Sequence, residues 1–142
     1  MEEKPAAPED ASKPAILVVE DNAVYRKSYQ HLFSSAPYFQ AYRLVCRDTA
    51  WLGLQWLQLA PDGDLPKAIL LDWVMEGMDG MDFLRAVKAE ERLKAIPVLM
   101  VTSNRERSEV ARACAMGVRD YLIKPIQPPV LEKKLQKILG PA

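Results

Sequence analysis

Three carboxylates in this chain stand where an apolar run gives way to a loop. Glu20 and Asp21 follow Ile16-Leu17-Val18-Val19, and Asp72 follows Ala68-Ile69-Leu70-Leu71. Short unbroken apolar runs fit strands buried on both faces, as parallel sheets require. In open α/β sheets, ligands are held in the crevice beyond the strands' carboxyl ends. Acids gathered there repel one another unless a cation or a proton separates them. Two more groups fall at the same edge: Thr102 closes Val98-Leu99-Met100-Val101, and Lys124 closes the run from Val118 to Ile123. Hard oxygen ligands from two strand tips suit Mg²⁺, which takes one or two protein carboxylates and keeps several waters. Such an ion would relieve the repulsion and help neutralise an incoming phosphoryl group, leaving Asp72 ionised as a nucleophile. Thr102 offers the phosphoryl oxygens a hydroxyl donor, and Lys124 a mobile point charge. The set reads as phosphoryl transfer to a carboxylate.

The elements that must position these groups alternate strictly. A strand over Ala15–Val19 leads into a helix reaching about Ser34, capped by Asp21 or Asn22. A second strand spans Ala41–Cys46, and Asp48 or Thr49 caps a helix stopped by Pro61. The third strand, Ala68–Leu71, precedes a helix from Gly80 to about Leu93. Pro97 opens the fourth strand, Val98–Val101, followed by a helix carrying Val110, Ala113 and Cys114, with Gly117 as its terminator. Val118–Ile123 is the fifth strand and Pro128–Leu139 the last helix. Five strand–helix pairs predict one doubly wound α/β domain with right-handed crossovers. Residues Met1–Lys13 have no periodic apolar pattern and read as a flexible leader, leaving 14–142 as the domain.

Bulk composition narrows the function classes. The 142 residues suffice for one domain with a core of its own. Lys plus Arg and Asp plus Glu each number 19, so no global field draws the chain to nucleic acid or to acidic lipid. The two cysteines, Cys46 and Cys114, fit no metal or disulfide pattern and read as reduced, mostly buried thiols. With no long apolar stretch and no basic-then-apolar leader, a cytoplasmic protein that neither spans nor binds a membrane is expected.

Val18-Val19-Glu20-Asp21-Asn22, Leu70-Leu71-Asp72-Trp73-Val74-Met75, Gly77-Met78-Asp79-Gly80, Val101-Thr102-Ser103 and Tyr121-Leu122-Ile123-Lys124-Pro125 together resemble the receiver domain of two-component response regulators. The resemblance runs from about Pro14 to Leu139, in the family's order and spacing. It implies a flavodoxin-like five-stranded parallel sheet, order 2-1-3-4-5, which makes strands one and three neighbours. It also implies that Asp72 is the phospho-acceptor and that Asp21 ligates Mg²⁺ directly. Glu20 would act through a metal-bound water, and the backbone carbonyl of Val74 would complete the protein ligands. Lys124 would bind the phosphoryl group, with a cis peptide to Pro125, while Thr102 and Tyr121 would form a coupled switch. A histidine kinase or phosphotransfer protein would be the donor. The output would be a downstream protein target, or a homodimer, engaged through the fourth helix, fifth strand and fifth helix. No output segment follows Leu139, so the signal is expected to pass by protein–protein contact unless the chain was cut from a longer regulator.

Departures from the family pattern are visible. Glu20 replaces the commoner Asp, Glu76 stands where Pro is usual, and Val74 and Asn104 flank the phosphate entrance. Two rival readings follow. One is a receiver-like interaction module that is never phosphorylated. The other is an aspartate-nucleophile phosphatase, but that enzyme carries a second acid two residues after the nucleophile, where this chain has Val74. Taken singly, Lys124 would be a solvated lysine before a turn and Tyr121 a half-buried strand aromatic. His31, the sole histidine, reads as a partly exposed helix residue. The helix bearing Trp51, Leu52, Leu54, Trp56, Leu57 and Leu59 is apolar nearly all round, which raises a partner contact there. Lys133, Lys134 and Lys137 read as a solvated helix face.

Overall fold

The computed structural model describes residues 12–103 and 107–141. Most of the predicted leader and Asn104 therefore lie outside the described residues. Five parallel strands form one sheet: β1 Ala15–Val19, β2 Arg43–Arg47, β3 Ala68–Asp72, β4 Val98–Thr102 and β5 Asp120–Ile123. Their order is β2-β1-β3-β4-β5. This is the doubly wound arrangement expected, with β1 and β3 side by side. The helices are α1 Ala23–Ser35, α2 Pro37–Gln40, α3 Ala50–Leu59, α4 Gly80–Ala89, α5 Arg107–Ala115 and α6 Pro128–Leu139.

Strand periodicity explains the two layers. Ile16 and Val18 of β1, with Leu70, Leu99, Val101 and Leu122, face the side covered by α1, α2 and α6. Leu17 and Val19, with Ile69, Leu71, Val98 and Met100, face α3, α4 and α5. Alternate residues thus serve opposite cores, which is why the strands read as unbroken apolar runs.

The helix starts follow side-chain chemistry. Asn22 Oδ1 accepts from the Val24 and Tyr25 amides at 2.9 and 3.2 Å. Thr49 Oγ1 accepts from Leu52 at 3.0 Å, and Asp79 and Asp82 form a reciprocal capping box at the start of α4. Gly117 follows α5 at φ 107°, a region that favours glycine. Gly80 is required for a different reason: a Cβ there would lie 2.7 Å from the Trp73 ring and 2.8 Å from its Cα.

Four local expectations are corrected. A one-turn helix, α2, fills the stretch between α1 and β2, to which the sequence pattern assigns no element. Pro37 starts it at a position where no amide donor is needed, and burial of Tyr38 and Phe39 holds it, with the Tyr38 hydroxyl donating to Gly140 O at 3.1 Å. Helix α4 stops at Ala89 instead of Leu93. The Arg92 guanidinium donates to Ala60 O at 2.6 Å and Asp62 at 2.7 Å, and Leu93 turns into the core through 3₁₀-like bonds. Strand β5 begins at Asp120, although Arg119 N already donates to Val98 O. Finally, the thiols are not mostly buried: Cys46 is half-buried and Cys114 exposed, both free. No helix among the described residues is long and apolar enough to cross a membrane.

Candidate functional site

Strand register assembles the site. Val19 pairs with Leu71, so Glu20, the next residue, arrives beside Asp72. Asp72 pairs with Val101, and Thr102 with Ile123, which brings Thr102 and Lys124 to the same rim. The Lys124 amide donates to Thr102 O at 2.8 Å, extending that ladder by one bond. The Lys124–Pro125 peptide is cis, as the resemblance implies. Arg26 locks the first acidic loop from outside: its guanidinium donates to Glu20 O at 3.0 Å and Asp21 O at 2.8 Å. Sequence reading passed over Arg26, although its placement one helical turn beyond Asn22 was the available signal.

Burial and charge then shape the chemistry. Glu20 is 1% exposed, Asp72 5% and Thr102 fully buried, while Asp21 is open to solvent. One carboxylate oxygen from each of Glu20, Asp21 and Asp72 lies within 4.8 Å of the others. The Lys124 ammonium sits 2.7 Å from Glu20 Oε1 and 3.3 Å from Asp72 Oδ1. Burial pushes the Asp72 carboxyl up to about 8, helped by the neighbouring Glu20 and opposed by Lys124. Burial alone would pull the Lys124 ammonium down, yet the Glu20 and Asp72 carboxylates outweigh it and its pKa is raised.

The donor set fits a divalent cation. Glu20 Oε1 is buried and lacks a properly angled hydrogen bond despite its ion contact with Lys124. Such an oxygen, beside a second buried carboxylate and a third open to water, suits a hard ion that retains waters.

Around this centre the remaining expected residues take separate positions. Val74 is exposed on the loop after β3, beside exposed Glu76. Tyr121 faces outward, 38% exposed, with Lys134 Nζ 5.2 Å from its ring centroid. His31 is exposed, as expected. Lys134 pairs with Asp120 at 2.9 Å, so the α6 lysines are not all simply solvated. Two contacts were not foreseen. The Lys124 ammonium also lies 4.2 Å from the Tyr25 ring centroid. The buried Trp73 indole donates to Glu109 Oε1 at 3.0 Å, joining the residue after Asp72 to α5.

Residues 16–136 match the response regulator receiver domain family, and the chain belongs to it. Among curated relatives, chemotaxis protein CheY1 of Helicobacter pylori is 33% identical over 125 residues, covering 88% of this chain and 96% of that protein. Chemotaxis protein CheY of Pseudomonas aeruginosa is 49% identical over 70 residues, covering 49% of this chain and 56% of that protein. Among solved structures, chemotaxis protein CheY4 of Vibrio cholerae superposes with a TM-score of 0.78 at 27% identity, covering 89% of this chain and 99% of that one. The receiver domain of the sensor histidine kinase PA1611 from Pseudomonas aeruginosa PAO1 gives 0.76 at 25% identity, over 90% of this chain and 98% of that one. That structure has a magnesium ion coordinated in its active-site cleft.

Proposed function

We propose that this receiver is controlled by phosphorylation of Asp72, with Mg²⁺ as cofactor and a histidine kinase or phosphotransfer protein as donor. The observation that carries the reading is the placement of the Lys124 ammonium 3.3 Å from a buried Asp72 carboxylate that shares its pocket with Glu20 and Asp21. Glu20, Asp21, Asp72 and the Val74 carbonyl would hold the ion. When bound, it neutralises charge on the acids and on the phosphoryl oxygens.

The chain's own groups do the rest. An Asp72 carboxylate oxygen attacks phosphorus, an acyl phosphate bond forms, and the donor's phosphoramidate bond breaks with its electron pair leaving on the imidazole nitrogen. Lys124 pairs with a phosphoryl oxygen, and the Thr102 hydroxyl donates to another. The added negative charge biases a two-state equilibrium of α5, β5 and α6, read through Thr102 and Tyr121. These helices correspond to the fourth and fifth of the sequence reading, because α2 adds one to the count. A groove of about 400 Å³ on α6, lined by Pro129, Val130, Lys133 and Lys137, supports protein docking on that face. A cytoplasmic place of action suits the two free thiols. Val74 offers no general acid two residues beyond Asp72, so ester hydrolysis finds no support.

Incubation with acetyl phosphate and Mg²⁺, followed by intact mass measurement, tests the reading. A single acid-labile phosphoryl adduct is expected, absent in Asp72→Asn and absent with chelator. Labelling that persists undiminished in Asp72→Asn overturns the assignment. A wild-type chain that never labels would leave the unphosphorylated interaction module standing.

A further inference from the structure

The Lys124 ammonium has three described contacts, and two of them are with acids. It faces Glu20 Oε1, Asp72 Oδ1 and the ring of Tyr25, the last at 4.2 Å to the centroid. The acids belong to the cluster that suits a divalent ion. A carboxylate oxygen committed to such an ion offers less to an ammonium, and the ion itself repels it. The aromatic face carries no ligand atom the metal competes for, and its quadrupole attracts a cation within about 6 Å.

Tyr25 is held in place for this. It is the third residue of α1, and its amide donates to Asn22 Oδ1 at 3.2 Å. Arg26, its neighbour, ties the same turn to the Glu20 and Asp21 carbonyls. Val24 points into solvent at 71% exposure, whereas Tyr25 is half-buried over the site. The first turn of α1 is therefore fastened to the acidic loop at two backbone points, with the ring directed to Lys124.

We infer that Tyr25 is a positioning residue for phosphoryl transfer, its ring face keeping the Lys124 ammonium beside Asp72 once Glu20 and Asp72 are engaged by the metal. The inference rests on the reading of Asp72 as phospho-acceptor. Without the ring, a four-carbon stem lets the ammonium swing toward water, and fewer encounters find it in place. Phenylalanine preserves the face and leucine removes it.

The test compares Tyr25→Phe and Tyr25→Leu with the wild type in two measurements. The first is the NMR shift of the Lys124 ε-methylene, assigned with Lys124→Arg, with and without saturating Mg²⁺. A ring-current displacement that persists with Mg²⁺ in wild type and Tyr25→Phe, and vanishes in Tyr25→Leu, is expected. The second is the rate of labelling by acetyl phosphate at saturating Mg²⁺. Tyr25→Phe should stay within about twofold of wild type and Tyr25→Leu fall about three- to tenfold, the scale of one cation–π contact. Thermal midpoints should match in all three.

An unchanged rate in Tyr25→Leu overturns the inference, as does an equal fall in Tyr25→Phe, which would assign the effect to the hydroxyl. Should the wild type fail to label, the phospho-acceptor reading falls by itself. The shift then decides for Tyr25: persistence with Mg²⁺ supports its hold on Lys124, and loss overturns it.

Discussion

Lys124 lies closer to Glu20 than to Asp72, its ammonium 2.7 Å from Glu20 Oε1 and 3.3 Å from Asp72 Oδ1. Both acids are buried, so in the absence of metal the lysine supplies the positive charge that a divalent ion would otherwise bring. A divalent ion held by Glu20 would therefore compete with the lysine for the same carboxylate. Lys124→Met should tighten Mg²⁺ binding severalfold, while making the metal-free protein less stable by about 1–3 kcal/mol, since the buried Glu20 carboxylate loses the ammonium 2.7 Å away. Titration followed by tryptophan fluorescence measures the first effect and urea unfolding in chelator the second. An unchanged Mg²⁺ affinity would mean that the lysine does not shield Glu20.

Asp72 predicts how stability depends on pH. Its carboxyl is raised from 3.8 to about 8 by burial and by Glu20. Between those values the folded protein holds a proton that the unfolded chain has released, so this group's stabilising contribution shrinks as pH rises. It is whole below about pH 4 and gone above about pH 8. In chelator, the unfolding free energy of wild type relative to Asp72→Asn should fall steadily from pH 5 to pH 8. Saturating Mg²⁺, which favours the ionised acid, should flatten or reverse that trend. A relative stability that climbs with pH in chelator would contradict the raised value.

Much of this site was legible because register follows from strand pattern. Once Val18-Val19 and Leu70-Leu71 are recognised as adjacent parallel strands, Glu20 and Asp72 have no other place to go. Pro97 and Gly117 marked the limits of β4 and α5 for backbone reasons that any sequence displays. The misses share another origin. The early end of α4 depends on Arg92 reaching Ala60 O and Asp62, some thirty residues away. The turn α2 depends on a pocket for Phe39 built by Phe33 and Tyr38. Neither contact leaves a periodic trace. The Tyr25–Lys124 and Trp73–Glu109 contacts are of the same kind: each residue looks ordinary until the fold supplies its partner.

The Trp73–Glu109 bond makes a third prediction. The indole N–H is buried on the β3 side and its acceptor is on α5, so removing the acceptor strands a donor away from water. Glu109→Ala should cost about 1–2 kcal/mol, whereas Glu109→Gln, which keeps a carbonyl oxygen in reach, should cost less than about 0.5 kcal/mol. Urea midpoints of the two variants check this. Equal losses would show that the charge on Glu109, and not its hydrogen bond, is what α5 uses.

Helix α3 separates burial from mere apolarity. None of its ten residues is charged, yet only part of the wheel is covered. Leu57 is fully buried, while Trp51 and Leu59 are 67% and 77% exposed. Trp56 packs against the core and so does not belong to the outward face with Trp51. A paired Trp51/Trp56 truncation would therefore mix a surface effect with a core effect, and single variants are needed. Leu57→Ala should lose about 2–5 kcal/mol, the cost of a cavity that the sheet above cannot collapse. Trp51→Ala should stay within about 0.5 kcal/mol of wild type, because its ring leaves water hardly at all on folding. Thermal and urea unfolding of the two variants measure both. A large loss in Trp51→Ala would mean that the exposed ring is covered in solution, and the concentration dependence of its midpoint would then show whether a second copy covers it.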